Sequence, residues 1–204
     1  VTLTGSSSSL GRAYVVDHAA DTVTYLVAET GAYAFGSPTP NLSDSSFYTC
    51  DSPGTNACWT EGVAVNTNAG IVYVTVGGTD RVVYFDAETG DYAFDTLADS
   101  SFVTGDYPKG IAVNPGANIV YVGNEADGTV TFFNATTGAY FFGDLATSTF
   151  ATGPGPQRVA VNCAENLVYT TNAGDSTLTI LDGLTGAPIN GTVPLSSFGT
   201  GGSP

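Results

Sequence analysis

The sequence predicts an all-β fold, a β-propeller of four four-stranded blades, and three recurring columns of residues carry that reading. Tyr14, Tyr73, Tyr121 and Tyr169 lie 59, 48 and 48 residues apart, each inside a short β-forming segment. The Thr-Gly turns ending at Gly31, Gly90, Gly138 and Gly186 repeat those spacings, and Phe47, Phe102, Phe150 and Phe198 stand 55, 48 and 48 apart. A unit of this size cannot bury a hydrophobic face alone, and four-stranded units of about 40–50 residues stack as propeller blades. The copies divide residues 1–204 into repeats at about 1–60, 61–108, 109–156 and 157–204, read as one propeller domain that could close as a four-bladed ring.

The third copy shows the elements in order. Gly110–Asn114 and Ile119–Val122 are apolar runs, Thr129–Phe133 alternates β-formers, and Ala139–Phe142 follows the Thr-Gly turn. Each has strand length and is bounded by turn residues, which predicts four strands with the last at Ala139–Phe142. Asp127-Gly128 predicts a tight hairpin, because such turns need residues that tolerate positive φ. The first copy carries 11 surplus residues, four between Gly31 and Phe47 and seven between Phe47 and Tyr73. The seven-residue part holds Cys50 and Cys58, so a disulfide there pins an inserted loop rather than the common scaffold.

Composition bounds the function. Four basic against 19 acidic residues give a net charge of −15, which repels a phosphate backbone and excludes nucleic acid as a partner. No apolar run approaches the roughly 20 residues of a membrane-spanning helix, so no membrane insertion is expected. Cys50 and Cys58, eight positions apart, form a disulfide in an oxidising compartment, and the absence of methionine fits a processed product. Both point to an extracellular or cell-surface protein. Cys163 reads as a half-buried thiol. Asn41, Asn134 and Asn190 head Asn-X-Ser/Thr sequons and are candidate glycosylation sites.

No catalytic constellation stands out, and no cofactor is expected. The carboxylates near Asp17, His18 and Asp21, those at Asp86 and Glu88, and those at Asp99 and Asp106 read as turn residues. Calcium is the one ion considered, through Asp17, Asn124 and Asn172 at related loop positions, with Gly77 interrupting the pattern. Trp59 reads as a cover between blades, or as a carbohydrate platform.

Ile111–Pro115, Ile119–Asn124 and Gly128–Asn134 with the Thr137-Gly138 turn resemble the YVTN family of β-propeller repeats, and the likeness recurs in all four copies. The first copy is looser, and Thr67 and Cys163 stand where the third has Pro115. The resemblance implies a propeller on a secreted or cell-surface protein and no particular chemistry. With a surface poor in charge, the expected role is structural: self-association into an oligomer, filament or surface layer. A glycan-binding propeller and a lactonase-type hydrolase are the alternatives.

Overall fold

The computed structural model describes residues 2–3, 11–36, 41–51 and 58–201. They form four antiparallel four-stranded sheets, each of strands consecutive in sequence. The first blade holds β1 (Thr2–Leu3), β2 (Arg12–Asp17), β3 (Thr22–Val27) and β4 (Ser46–Tyr48), with the single-turn helix α1 (Leu42–Ser45) before β4. The second holds β5 (Thr60–Asn66), β6 (Ile71–Val76), β7 (Arg81–Asp86) and β8 (Ser101–Val103). The third holds β9 (Pro108–Asn114), β10 (Ile119–Asn124), β11 (Thr129–Asn134) and β12 (Thr149–Ala151). The fourth holds β13 (Pro156–Asn162), β14 (Leu167–Asn172), β15 (Thr177–Asp182) and β16 (Ser197–Gly199).

The tight turns behave as the sequence predicts. The residue entering the third strand is left-handed in every blade, at Asp21, Asp80, Gly128 and Ser176, with φ between 53° and 66°. The fourth strand, however, is not the segment after the Thr-Gly turn. Residues such as Tyr140 make one isolated bridge to Phe133, and the paired edge strand is the Phe150 segment nine residues further on. Ala139–Phe142 has β-forming side chains, but its backbone is consumed in closing the turn over β11. Phe141 N–H, for instance, bonds back to the Phe132 carbonyl.

Blades stack face to face. The innermost strands β5, β9 and β13 pack in succession, and each also lies against the second strand of the blade before it. No comparable packing joins the fourth blade to the first among the described residues. The four blades therefore form an arc. Three apolar clusters fill it; the central one joins Tyr73 and Tyr84 of the second blade to Val120 and Phe133 of the third. Cys50 and Cys58 are disulfide-bonded and buried in the first cluster, beside Val72, Val74 and Phe85. The bridge thus belongs to the core between the first two blades as well as anchoring the surplus loop, whose residues 52–57 lie outside the described set. Closing so short a loop stabilises the fold by about 2–3 kcal/mol. Cys163 is exposed rather than half-buried, because it lies in the turn that follows β13, where its counterpart Thr67 in the second blade is exposed as well.

Candidate functional site

Two features of the arc can do work: a polar rim on its concave side and the face of its last blade. The rim arises from an irregularity repeated in each innermost strand. Ladder pairing skips a step between Thr60 and Val63, again opposite Val122 and Asn124, and again between Pro156 and Arg158. Bulges of this kind release a side chain from the ladder and re-aim it. The released residues are Glu61, Lys109 and Gln157, three members of one column spaced by 48 residues. Below them the groove, of about 660 Å³, is walled by Val63, Val65, Ile111 and Val113, and Arg158 stands at its edge.

The rim residues engage one another across blades. Lys109 Nζ lies 2.8 Å from Glu125 Oε2, and Gln157 Nε2 donates to Glu125 Oε1 at 2.7 Å, tying the third blade to the fourth. Burial alone would raise the Glu125 pKa, but the hydrogen bonds from Lys109 and Gln157 outweigh it and hold the carboxyl below its ordinary value. Burial works against the Lys109 ammonium too, and Glu125 overcomes it and raises that pKa. Glu61 Oε1 accepts from Tyr107 Oη at 3.3 Å and lies 3.4 Å from His18 Nδ1. Burial and the charge of Glu61 raise the Tyr107 phenol.

Aromatic rings frame the same rim. Trp59 stacks parallel to His18, centroids 6.5 Å apart, and meets Tyr107 edge-on at 5.6 Å. Trp59 is 38% exposed, so it covers the rim rather than filling core between blades. Trp59 and Tyr107 both adopt left-handed backbone, with φ of 52° and 55°, where the fourth blade places Gly155. That conformation costs a large L-residue of order 1–3 kcal/mol. It is held by the Trp59 and Tyr107 N–H groups, which donate to Asp21 Oδ1 at 3.0 Å and Asp80 Oδ1 at 2.9 Å.

The remaining sequence candidates stay apart. Asp17 Oδ1 accepts from the Ala19 and Ala20 N–H groups, as Asp86 does from Glu88 and Thr89. Asn124 and Asn172 donate to threonines of their own blades, and strand register places Val76, not Gly77, at their position in the second blade. Asp17, Asn124 and Asn172, the residues considered for calcium, thus each bond within their own blade, and the Asn124 and Asn172 Oδ1 atoms are buried without a partner among the described residues. Asn41 caps α1 through Asp44 N–H, Asn134 accepts from Thr136 and Thr137 N–H, and Asn190 donates to the Leu195 carbonyl. At the second-to-third junction Asp106 faces Asp80 and Asp127, and the charge of Asp80 above all raises its pKa.

The last blade is the second feature. Inside the arc, each column tyrosine donates to the next blade: Tyr14 to the Ala87 carbonyl, Tyr73 to Ala135 and Tyr121 to Gly183, at 3.2, 2.7 and 3.0 Å. Each column phenylalanine likewise covers the next turn glycine, so that a Cβ at Gly90, Gly138 or Gly186 would overlap the ring of Phe47, Phe102 or Phe150. In the fourth blade Tyr169 donates to nothing among the described residues and Phe198 is 46% exposed. Leu167, Leu178 and Ile180 are half-exposed on that side. Thr171 Oγ1 is buried without a partner, whereas Thr75 at the same position donates to the Lys109 carbonyl.

Residues 62–185 match the family described as Lactonase, 7-bladed beta-propeller. No curated protein sequence matches the chain. Among solved structures the fold is similar to Kuenenia stuttgartiensis hydrazine synthase, with a TM-score of 0.63 and 15% identity over 86% of this chain and 44% of that one. It is also similar to virginiamycin B lyase from Staphylococcus aureus, in its selenomethionine form, with a TM-score of 0.61 and 11% identity over 97% of this chain and 54% of that one. The chain spans about half the length of these structures.

Proposed function

The chain belongs to the Lactonase, 7-bladed beta-propeller family, and from that premise we propose that it is an extracellular, YVTN-type propeller protein that acts by self-association rather than catalysis. One observation carries the reading: the fourth blade keeps the contact residues of an internal blade, Tyr169 and Phe198, on a face that no blade among the described residues covers. Burying one exposed phenylalanine contributes about 2 kcal/mol, and a face of such side chains is what a protein partner covers. A disulfide in the core fits an oxidising compartment. No helix among the described residues is long and apolar enough to cross a membrane. The expected result is concentration-dependent association, read by light scattering on a sizing column. A particle that stays monomeric up to high micromolar concentration would sink the proposal.

A second reading, hydrolysis of a lactone, draws support from the family and from the rim, where Glu61 and His18 form an acid–base pair beside an apolar groove. There Glu61 would draw a proton from water as it attacks the carbonyl, with Tyr107 and Lys109 near enough to polarise it. That reading expects lactone turnover that falls at least about 100-fold in Glu61→Gln. Equal rates for the two proteins, or none for either, would dismiss it.

A further inference from the structure

We propose that the pocket between the edge strand of the first blade and the second blade binds an organic cation of the alkylammonium class, supplied by a free amine or by a lysine side chain. Neither self-association nor lactone hydrolysis is needed for it.

The repeated blades act as controls for one another at this place. A pocket of about 440 Å³ opens where β4 meets the turn that follows β7. Its frame is shared with the next junction: Phe47 covers Gly90 as Phe102 covers Gly138, and the Tyr92 hydroxyl donates to the Tyr48 carbonyl as Tyr140 does to Val103. Three lining residues depart from the repeat. Tyr48 stands where the later copies have Val103, Ala151 and Gly199. Asp91 stands where the other copies have Ala32, Ala139 and Ala187, and Asp95 where they have Gly36, Gly143 and Gly191. All three departures fall on one pocket, and each adds a group that the common fold does without.

Asp95 is the least expected of the three. Its backbone is left-handed, with φ of 70°, at a position that the other blades give to glycine, which holds that conformation at no steric cost. The carboxylates of Asp91 and Asp95 take part in no hydrogen bond or ion pair among the described residues; the two ion pairs lie elsewhere, at Glu61 and Glu125. None of the chain's four Lys and Arg residues lines the pocket. Tyr48 is 53% exposed beside these acids. Burial and then the charge of Asp51 raise the Tyr92 phenol, so a third carboxylate acts on the same wall.

Rings beside carboxylates can hold a sugar or a cation, and charge decides between them. A neutral sugar gives the carboxylates hydrogen bonds but no opposite charge, whereas an ammonium pairs with them and lies against the aromatic faces. The net charge of −15 draws cations toward the surface before contact. An inorganic metal ion fits less well, because among the described residues no third acid or histidine joins Asp91 and Asp95 at ligating distance.

Isothermal titration with butylammonium, and with an end-blocked peptide carrying one lysine, is expected to show a single site. Butanol and galactose are expected not to bind. Asp91→Ala with Asp95→Gly restores the residues of the other blades, so this variant is expected to keep its thermal melt and to bind the cation roughly 10-fold more weakly. Tyr48→Val is expected to weaken binding roughly 3-fold. Glu29→Gln with Glu165→Gln removes the same charge outside the pocket and is expected to change affinity less than about 2-fold, since screening confines such effects to short range. Binding of the amine alone, or of the peptide alone, supports the site and identifies the source of the cation. Equal losses in the two double variants would reduce the binding to bulk charge and overturn the site. Butanol or galactose binding as tightly as butylammonium would overturn it too, as would no binding by any of the four.

Discussion

The third and fourth blades share one repeat and differ in what lies beside them. In the third, β10 is buried at all six positions. In the fourth, β14 alternates between buried and half-exposed, with Leu167, Tyr169 and Thr171 on the open side. Column by column, Ile119, Tyr121, Val130 and Phe132 are fully buried, while none of Leu167, Tyr169, Leu178 and Ile180 is. The sequence keeps apolar residues on both sets. An end blade selected only for solvent would carry polar residues there, as the capping units of repeat proteins do. The fourth blade is therefore built like an interior one. It departs at Arg158, which stands where Gly62 and Gly110 let the next innermost strand come close.

That comparison can be broken with a single oxygen atom. Tyr121→Phe leaves the buried Gly183 carbonyl without its donor and is expected to cost about 1–1.5 kcal/mol. A chain of this size then melts a few degrees lower. Tyr169→Phe, in dilute protein, is expected to change stability by less than about 0.5 kcal/mol, because its hydroxyl has nothing to lose. Urea melts of both variants decide it. Equal losses would mean that the fourth blade's face is already covered within one chain.

Legibility in the sequence followed the distance over which residues cooperate. The tyrosine, glycine and phenylalanine columns located the blades and three strands of each, because hairpin neighbours are close in the chain. The edge strand was misplaced because Ala139–Phe142 has the composition of a strand, and only the backbone accounting of the turn reveals that it pairs at one residue. Of the rim, the sequence singles out only His18 and Trp59, and not as parts of one site. His18, Glu61, Tyr107, Lys109 and Gln157 come from four blades, and the one signal that could have found them is the 48-residue column of Glu61, Lys109 and Gln157. That column stayed hidden because its members differ in charge while sharing a bulge. The phenylalanine and glycine columns were visible as repeats, but not as the two halves of one contact.

The smallest expected effect concerns the junctions rather than the faces. The second-to-third junction holds Asp80, Asp106 and Asp127, where the third-to-fourth has Gly128, Pro154 and Asp175 at the same positions. The charge of Asp80, its hydrogen bond and the charge of Asp127 raise the Asp106 pKa, so the folded chain holds that proton more firmly than the unfolded chain does. Asp106 therefore favours folding at low pH, and its contribution is lost as pH rises through the folded value. Glu125, held below its ordinary value, has the opposite sign and is lost as pH falls. Asp106→Asn is accordingly expected to raise the melting temperature slightly at neutral pH, and to leave it unchanged once the carboxylates are protonated. Asp175→Asn, with no acidic neighbour at the matching positions, should do neither. A gain for Asp106→Asn that persisted in acid would come from something other than repulsion, and the two junctions would then differ in packing instead of charge.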